Sequence, residues 1–235
     1  VDGAYPMSLD LLTSEECKQL LTHNLGLERV AAEPDAVDAI ITRCARLPLA
    51  LTIAAARAAV RPRFPLAALA DELDDSRDRL DVLTGGDVAT DIRAAFSSSL
   101  RILSADAVHL FALLSLHPGL DIAVATAADI AGLPVPRIRR TLQELDRANL
   151  ISEHHPSRYT FHDLLRAYAT EQMDTHDKAE RDAALRRMFD HYVYSAHAAR
   201  LQLYGEIDCN VKLPNAQPGL VPAAFNSPAD ARAWF

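Results

Sequence analysis

Glycine is scarce: the chain of 235 residues holds eight, and none stands in the GxxxxGK or GxGxxG spacing. A loop of backbone N–H groups that cradles phosphate is therefore absent. No GxSxG or HExxH occurs, which removes the nucleophile-elbow hydrolases and the helical zinc peptidases. Cysteine is scarcer still. Cys17, Cys44 and Cys209 are too few and too scattered for a disulfide framework or a zinc cluster, and a reducing compartment fits. Lysine is rare, with only Lys18, Lys178 and Lys212 among 24 basic residues. The net charge of −8 argues against a chain-wide nucleic-acid surface. No apolar run approaches the length of a membrane span. The longest, Leu47 to Ala56, is broken by Thr52, and no secretory signal opens the chain. The expectation is a cytoplasmic protein with no membrane partner.

What is present is an ordinary globular balance, 49% hydrophobic and 24% charged, enough for one large or two small domains. The first hundred residues read as helices. Val1 to Pro6 resembles the tail of something larger. Thr13 and Glu16 have capping-box spacing, and the helix they open is expected to stop at Gly26. A second helix is predicted from Pro34 through Val37, Ile40, Ile41 and Cys44. A third, Leu49 to Val60, is nearly all small and apolar and suits the centre of a bundle. One or two helices are expected over Leu66 to Leu83, stopped at Gly85-Gly86, and another from Ile92 to Leu100. Ser97-Ser98-Ser99 then marks a solvated helix face rather than a nucleophile.

From residue 103 the pattern changes. Ser104 caps a helix with Ala107, Leu110, Phe111 and Leu114 inside. A short helix covers Val124 to Ala131, and a third starts at Pro136. Leu150 to Glu153 and Arg158 to Phe161 read as two strands around His154-His155-Pro156-Ser157. Three helices and a two-stranded wing are the plan of a winged helix-turn-helix. Glu180 to Leu203 is a further helix. Gly205 to Pro228 reads as a long loop, and Ser227-Pro228 opens a last helix.

The stretch Arg158 to Arg166 runs from strand into helix. Tyr159 and Phe161 alternate with polar neighbours, and Asp163 is the expected N-cap before Leu164, Leu165 and Tyr168. His162 is thus placed at a helix N-terminus, where N–H groups converge and an anion can be held. The plain alternative is a corner residue that only tethers the chain.

The winged helix raises the question of DNA. Its third helix carries Arg137, Arg139, Arg140 and Arg147, with Gln143 able to reach a base edge. Glu144 and Asp146 share that helix, and residues 103–174 hold six basic against nine acidic residues. That balance is poor for neutralising phosphates. Metal is not expected at His154-His155, because adjacent strand residues point to opposite faces.

Three motifs, in order, carry a family resemblance: Leu11-Leu12-Thr13-Ser14-Glu15-Glu16, Leu47-Pro48-Leu49-Ala50-Leu51 and Phe161-His162-Asp163-Leu164-Leu165-Arg166. The chain resembles the helical ARC bundle and winged helix of the NB-ARC switch ATPases in the STAND class. Within these it is most like the AfsR-type regulators of the antibiotic regulatory protein (SARP) family of transcription factors. The second motif is similar to the family's GLPLAL and the third to its MHD-type motif. The resemblance implies that these parts fold over ADP held by a separate P-loop domain. Pro48 would pack on adenine and His162 would hydrogen-bond the β-phosphate. Asp163 and Arg166 would support the helix that carries His162. Where the family has glycine before Leu-Pro-Leu, this chain has Arg46, which must either bear strain or accompany a different turn.

The expected architecture is mainly α. It comprises an ARC-type bundle over 1–102, a winged helix over 103–175, and a helical connector over 176–235 leading towards a repeat domain. The expected role is regulatory and non-catalytic. ATP or ADP would bind only in an intact parent, and no metal is expected. The resemblance implies as partners the parent's P-loop and repeat sensor domains and further copies in the active state. DNA would be reached through another domain. The alternative is direct DNA binding through Arg137, Arg139, Arg140 and Gln143.

Overall fold

A computed structural model describes residues 11–74, 79–84, 91–205 and 213–235. The Val1–Pro6 tail, the Gly85-Gly86 stop, Cys209 and the first part of the loop after Gly205 lie outside the described residues. The chain is mainly helical with one small three-stranded antiparallel sheet, a helical bundle followed by a winged helix. It divides into two compact units. One holds residues up to Ser98 together with Asp163–Tyr168, the other Ser99–His162 and Ala169–Phe235.

The first unit opens with α1 (Ser14–Leu25). The capping box is formed: the Thr13 hydroxyl accepts from the Glu16 amide, and the Thr13 amide donates to the Glu16 carboxylate at 2.8 Å. Next comes α2 (Leu27–Ala32), a short helix that the periodicity does not announce. Then follow α3 (Pro34–Arg43), α4 (Pro48–Val60), α5 (Leu66–Glu72), α6 (Arg79–Val82) and α7 (Ile92–Leu100). α4 packs against α1, and α3 against α5. Ala50, Leu51, Ala54 and Ala55 of α4 are fully buried, as its small, apolar composition predicts. Two charged residues, Arg29 within α2 and Glu33 at its C-cap, close helix ends at a distance. Arg29 donates to the carbonyl of Ala58 in the last turn of α4 and to those of Arg61 and Phe64 just after it. Glu33 accepts from the Leu66 and Ala67 amides at the start of α5.

The second unit contains α8 (Ala105–Leu114), β1 (Asp121–Ala123), α9 (Val124–Ala131), α10 (Val135–Arg147), β2 (Ser152–His155) and β3 (Arg158–Thr160). After α11 (Asp163–Asp174) come α12 (Lys178–Tyr204) and α13 (Pro228–Trp234). The sheet order is β1-β3-β2, with Ile122 opposite Tyr159 and Glu153 opposite Tyr159 on the other side. The wing therefore has three strands rather than two. β1 is only Asp-Ile-Ala, too short to show a period. Helix α12 packs on α9 and α13. Met173, Ala184 and Met188 close a core with Ala112, Leu113 and Ile130. Gly132 ends α9 in the left-handed region, where a Cβ would meet Arg187 Nε at 3.2 Å. Arg187 in turn donates to the carbonyls of Asp129 and Ile130.

Candidate functional site

The Leu-Pro-Leu segment begins in strain. After α3, both Ala45 (φ 50°) and Arg46 (φ 58°) take left-handed backbone, and the Arg46 amide closes back on Ile41 O at 3.2 Å. Two consecutive non-glycine residues with positive φ bear a steric cost. Of the two alternatives for Arg46, strain is the one adopted. The chain then extends through Leu47 and turns into α4 with Pro48 at its first position, where the missing N–H costs nothing. Pro48 is exposed, so its ring is available to a partner surface.

At the other motif, Phe161 anchors the corner by packing its ring 5.4 Å from that of Phe111. The helix start lies one residue earlier than expected: His162 is the N-cap of α11, and Asp163 is its first helical residue. Asp163 thus complements the helix dipole from inside the first turn rather than capping by its side chain. His162 is half-buried and Asp163 exposed. Burial pushes the Arg166 guanidinium below its ordinary value, against the opposing pull of Asp163. Asp163 also borders a cleft of about 460 Å³ with Asp38, Arg43, Asp74 and Arg79. There Arg43 is held by Asp74 at 2.7 Å, and three carboxylates outnumber two guanidiniums, so the cleft does not suit an anion.

Helix α10 sorts its charges by face. Arg137 pairs with Asp106 of α8 at 2.6 Å, and Glu144 accepts from the Ser104 amide and hydroxyl at 2.6 and 2.8 Å. Asp146 accepts from the Glu153 amide at 3.0 Å. The exposed stripe holds Arg140, Gln143 and Arg147, with Arg139 beside it donating to Ser157 Oγ at 3.0 Å. The two acidic residues weighed against DNA are thus engaged with the backbone of α8 and the wing. Arg137 is turned to an ion pair.

In the wing, Asp121 takes two 2.6 Å bonds from Arg158 and lies 3.2 Å from His154 Nε2. The Arg158 guanidinium holds its carboxyl below the usual range, against burial. The expectation that His154 and His155 diverge is corrected. A bulge between Glu153 and His155 breaks the alternation, and the two ring centroids lie 4.7 Å apart.

One constellation escaped the sequence reading. Thr126 Oγ1, His191 Nε2, His191 Nδ1 and Asp129 Oδ2 form a line, with contacts of 3.0 and 2.6 Å. Hydroxyl, imidazole and carboxylate follow the order of a nucleophile triad. All three are at most 4% exposed, however, and Asp129 also accepts the Val221 amide at 2.9 Å. Substrate has no access, and the group serves to pin α12 and the loop after it onto α9. The loop is further fixed by Ala223 N donating to Ser195 Oγ and by Tyr194 donating to Pro214 O. The partners are 62 residues apart or more, which no local pattern reveals.

No protein-family model matches the chain. The chain is 36% identical over 231 residues to the regulatory protein AfsR of Streptomyces griseus, an alignment covering 97% of this chain and 24% of that protein. It is 38% identical over 199 residues to the regulatory protein AfsR of Streptomyces coelicolor, covering 83% of this chain and 20% of that protein. It spans between a fifth and a quarter of the length of these relatives. Across nearly its whole length, then, the chain is similar to one segment of AfsR-type regulatory proteins.

Proposed function

We propose that this chain is the regulatory, non-catalytic arm of an ATP/ADP switch in a cytoplasmic transcriptional regulator. It closes over ADP bound to a separate P-loop domain, with His162 as the latch. The observation that carries this reading is the position of His162: a half-buried imidazole at the N-cap of a twelve-residue helix, where the dipole favours an anion. The similarity to AfsR-type regulators and the order of the Leu-Pro-Leu and His-Asp motifs support it.

Each motif brings one group suited to a nucleotide. Pro48 offers an exposed apolar ring, and His162 offers an imidazole N–H. The chain has no glycine-rich loop of its own. The nucleotide would supply the phosphate oxygens that the imidazole meets. In the ADP state the His162 N–H donates to a β-phosphate oxygen and holds the arm closed. Losing that bond favours an open form that associates with further copies; a repeat domain of the parent senses the signal, and another domain reaches DNA. One hydrogen bond to a charged group contributes about 1.5–3 kcal/mol, enough to move such an equilibrium by roughly one to two decades. The test is ADP release from an intact protein carrying this segment. His162→Ala is expected to accelerate it, and unchanged release contradicts the latch.

A second reading is favoured by the exposed face of α10, where Arg139, Arg140, Gln143 and Arg147 lie without an exposed carboxylate among them. In this reading the helix enters a DNA major groove. Fluorescence anisotropy of labelled duplex DNA distinguishes the two. Binding at micromolar concentration that falls steeply with salt, and is abolished in Arg140→Ala/Arg147→Ala, supports a DNA reader. Absence of binding at low salt removes it.

A further inference from the structure

We propose that His109, His176 and Glu180 form a site for a divalent transition metal, with zinc the ion best matched. The three come from separate places in the second unit: His109 from α8, His176 from the turn after α11, and Glu180 from the first turn of α12. Glu180 reaches both rings, with one carboxylate oxygen 3.2 Å from His109 Nε2 and the other 3.0 Å from His176 Nδ1. All three ligand atoms lie within 4.8 Å of one another, and the ring centroids are 5.3 Å apart. Zinc bonds of about 2.0–2.1 Å in tetrahedral geometry place ligand atoms roughly 3.3 Å apart, so small side-chain rotations centre an ion. This is the one such group of three among the described residues.

The donor set selects the ion. Two imidazoles and a carboxylate suit zinc and its neighbours, whereas magnesium and calcium take oxygen ligands. Three protein ligands leave a fourth position for water or a further ligand. The side chains are 26–39% exposed, so an ion has an entry path. Their backbone is held in place: the His176 amide donates to Met173 O at 3.0 Å, and Asp177 caps α12 through the Ala179 amide. Arg187, a cation that interacts electrostatically with Glu180, is engaged with the carbonyls of Asp129 and Ile130. A bound ion would fasten the start of α12 to α8.

The competing arrangement is metal-free, with the Glu180 carboxylate merely accepting an N–H from each ring. Calorimetric titration of the chelator-treated, untagged chain with Zn²⁺ separates the two, with Co²⁺ as a spectroscopic probe. The expected result is one equivalent bound at micromolar concentration, a rise in Tm with Zn²⁺, and a visible Co²⁺ band of low coordination number. His109→Gln and Glu180→Gln are each expected to weaken binding at least about tenfold, as losses around metal sites do. Both positions are partly exposed, and circular dichroism checks that the variants fold. No saturable binding below millimolar Zn²⁺ overturns the proposal. So does binding that survives unchanged in His109→Gln/His176→Gln, which would place the ion on other histidines.

Discussion

Arg46 is where a single residue type and its backbone disagree. With φ at 58° and Ala45 beside it at 50°, the turn into the Leu-Pro-Leu segment is one that glycine adopts without steric cost. Arg46→Gly is therefore expected to stabilise the chain. Relief of the left-handed strain, about 1–2 kcal/mol, outweighs the roughly 0.4–1 kcal/mol of added unfolded-state entropy. Thermal melts should show a net gain of about 0.5–1 kcal/mol, and a loss would mean that the arginine side chain itself supports the turn. At the same scale, two of the three thiols are shielded from solvent. Cys17 and Cys44 are fully buried, and burial pushes the Cys44 thiol up to about 12. His162 belongs here as well. Its spacing from Phe161 and Leu164 announced a strand-to-helix corner. That it, and not Asp163, takes the N-cap could not be read, because both residues satisfy the pattern and only the backbone angles decide.

Among the elements, those with a local signal were legible. α1 carries its capping box, α9 ends at Gly132 and α13 begins at Ser227-Pro228. α2 and β1 were not, since six and three residues are too few to establish a period. The convergence of His154 and His155 was also hidden, because a bulge is a property of strand pairing and not of either strand alone. The wing offers a pH test. The folded-state value of Asp121 lies below its unfolded one, chiefly through the hydrogen bonds from Arg158. Its contribution is therefore complete above the unfolded value and lost as pH falls through the folded one. Asp121→Ala is expected to cost about 1 kcal/mol at neutral pH, as for a bidentate surface pair. The Tm difference from wild type should shrink as pH falls below about 4. A difference that persists undiminished at about pH 2 would contradict the assignment.

At the scale of the whole molecule, what the sequence could not convey is long-range. The Thr126–His191–Asp129 line and the His109–His176–Glu180 cluster each join residues more than 60 positions apart, and the four-residue step from His176 to Glu180 does not point to His109. The succession of bundle, winged helix and further helix was legible, because each part carries its own caps and periods. In both units, arginines distant in sequence close helix C-termini, Arg29 on α4 and Arg187 on α9. In a chain with few glycines and lysines, guanidinium forks do much of that work. The chain lacks a phosphate loop, so its proposed part in a nucleotide switch rests on one imidazole. The direct measurement is the dissociation rate of labelled ADP from an intact protein carrying this segment, compared with its His162→Ala variant. Release about 10- to 100-fold faster in the variant, with the circular dichroism spectrum unchanged, is the predicted result. Equal rates in the two proteins would contradict it and leave His162 as a corner residue only.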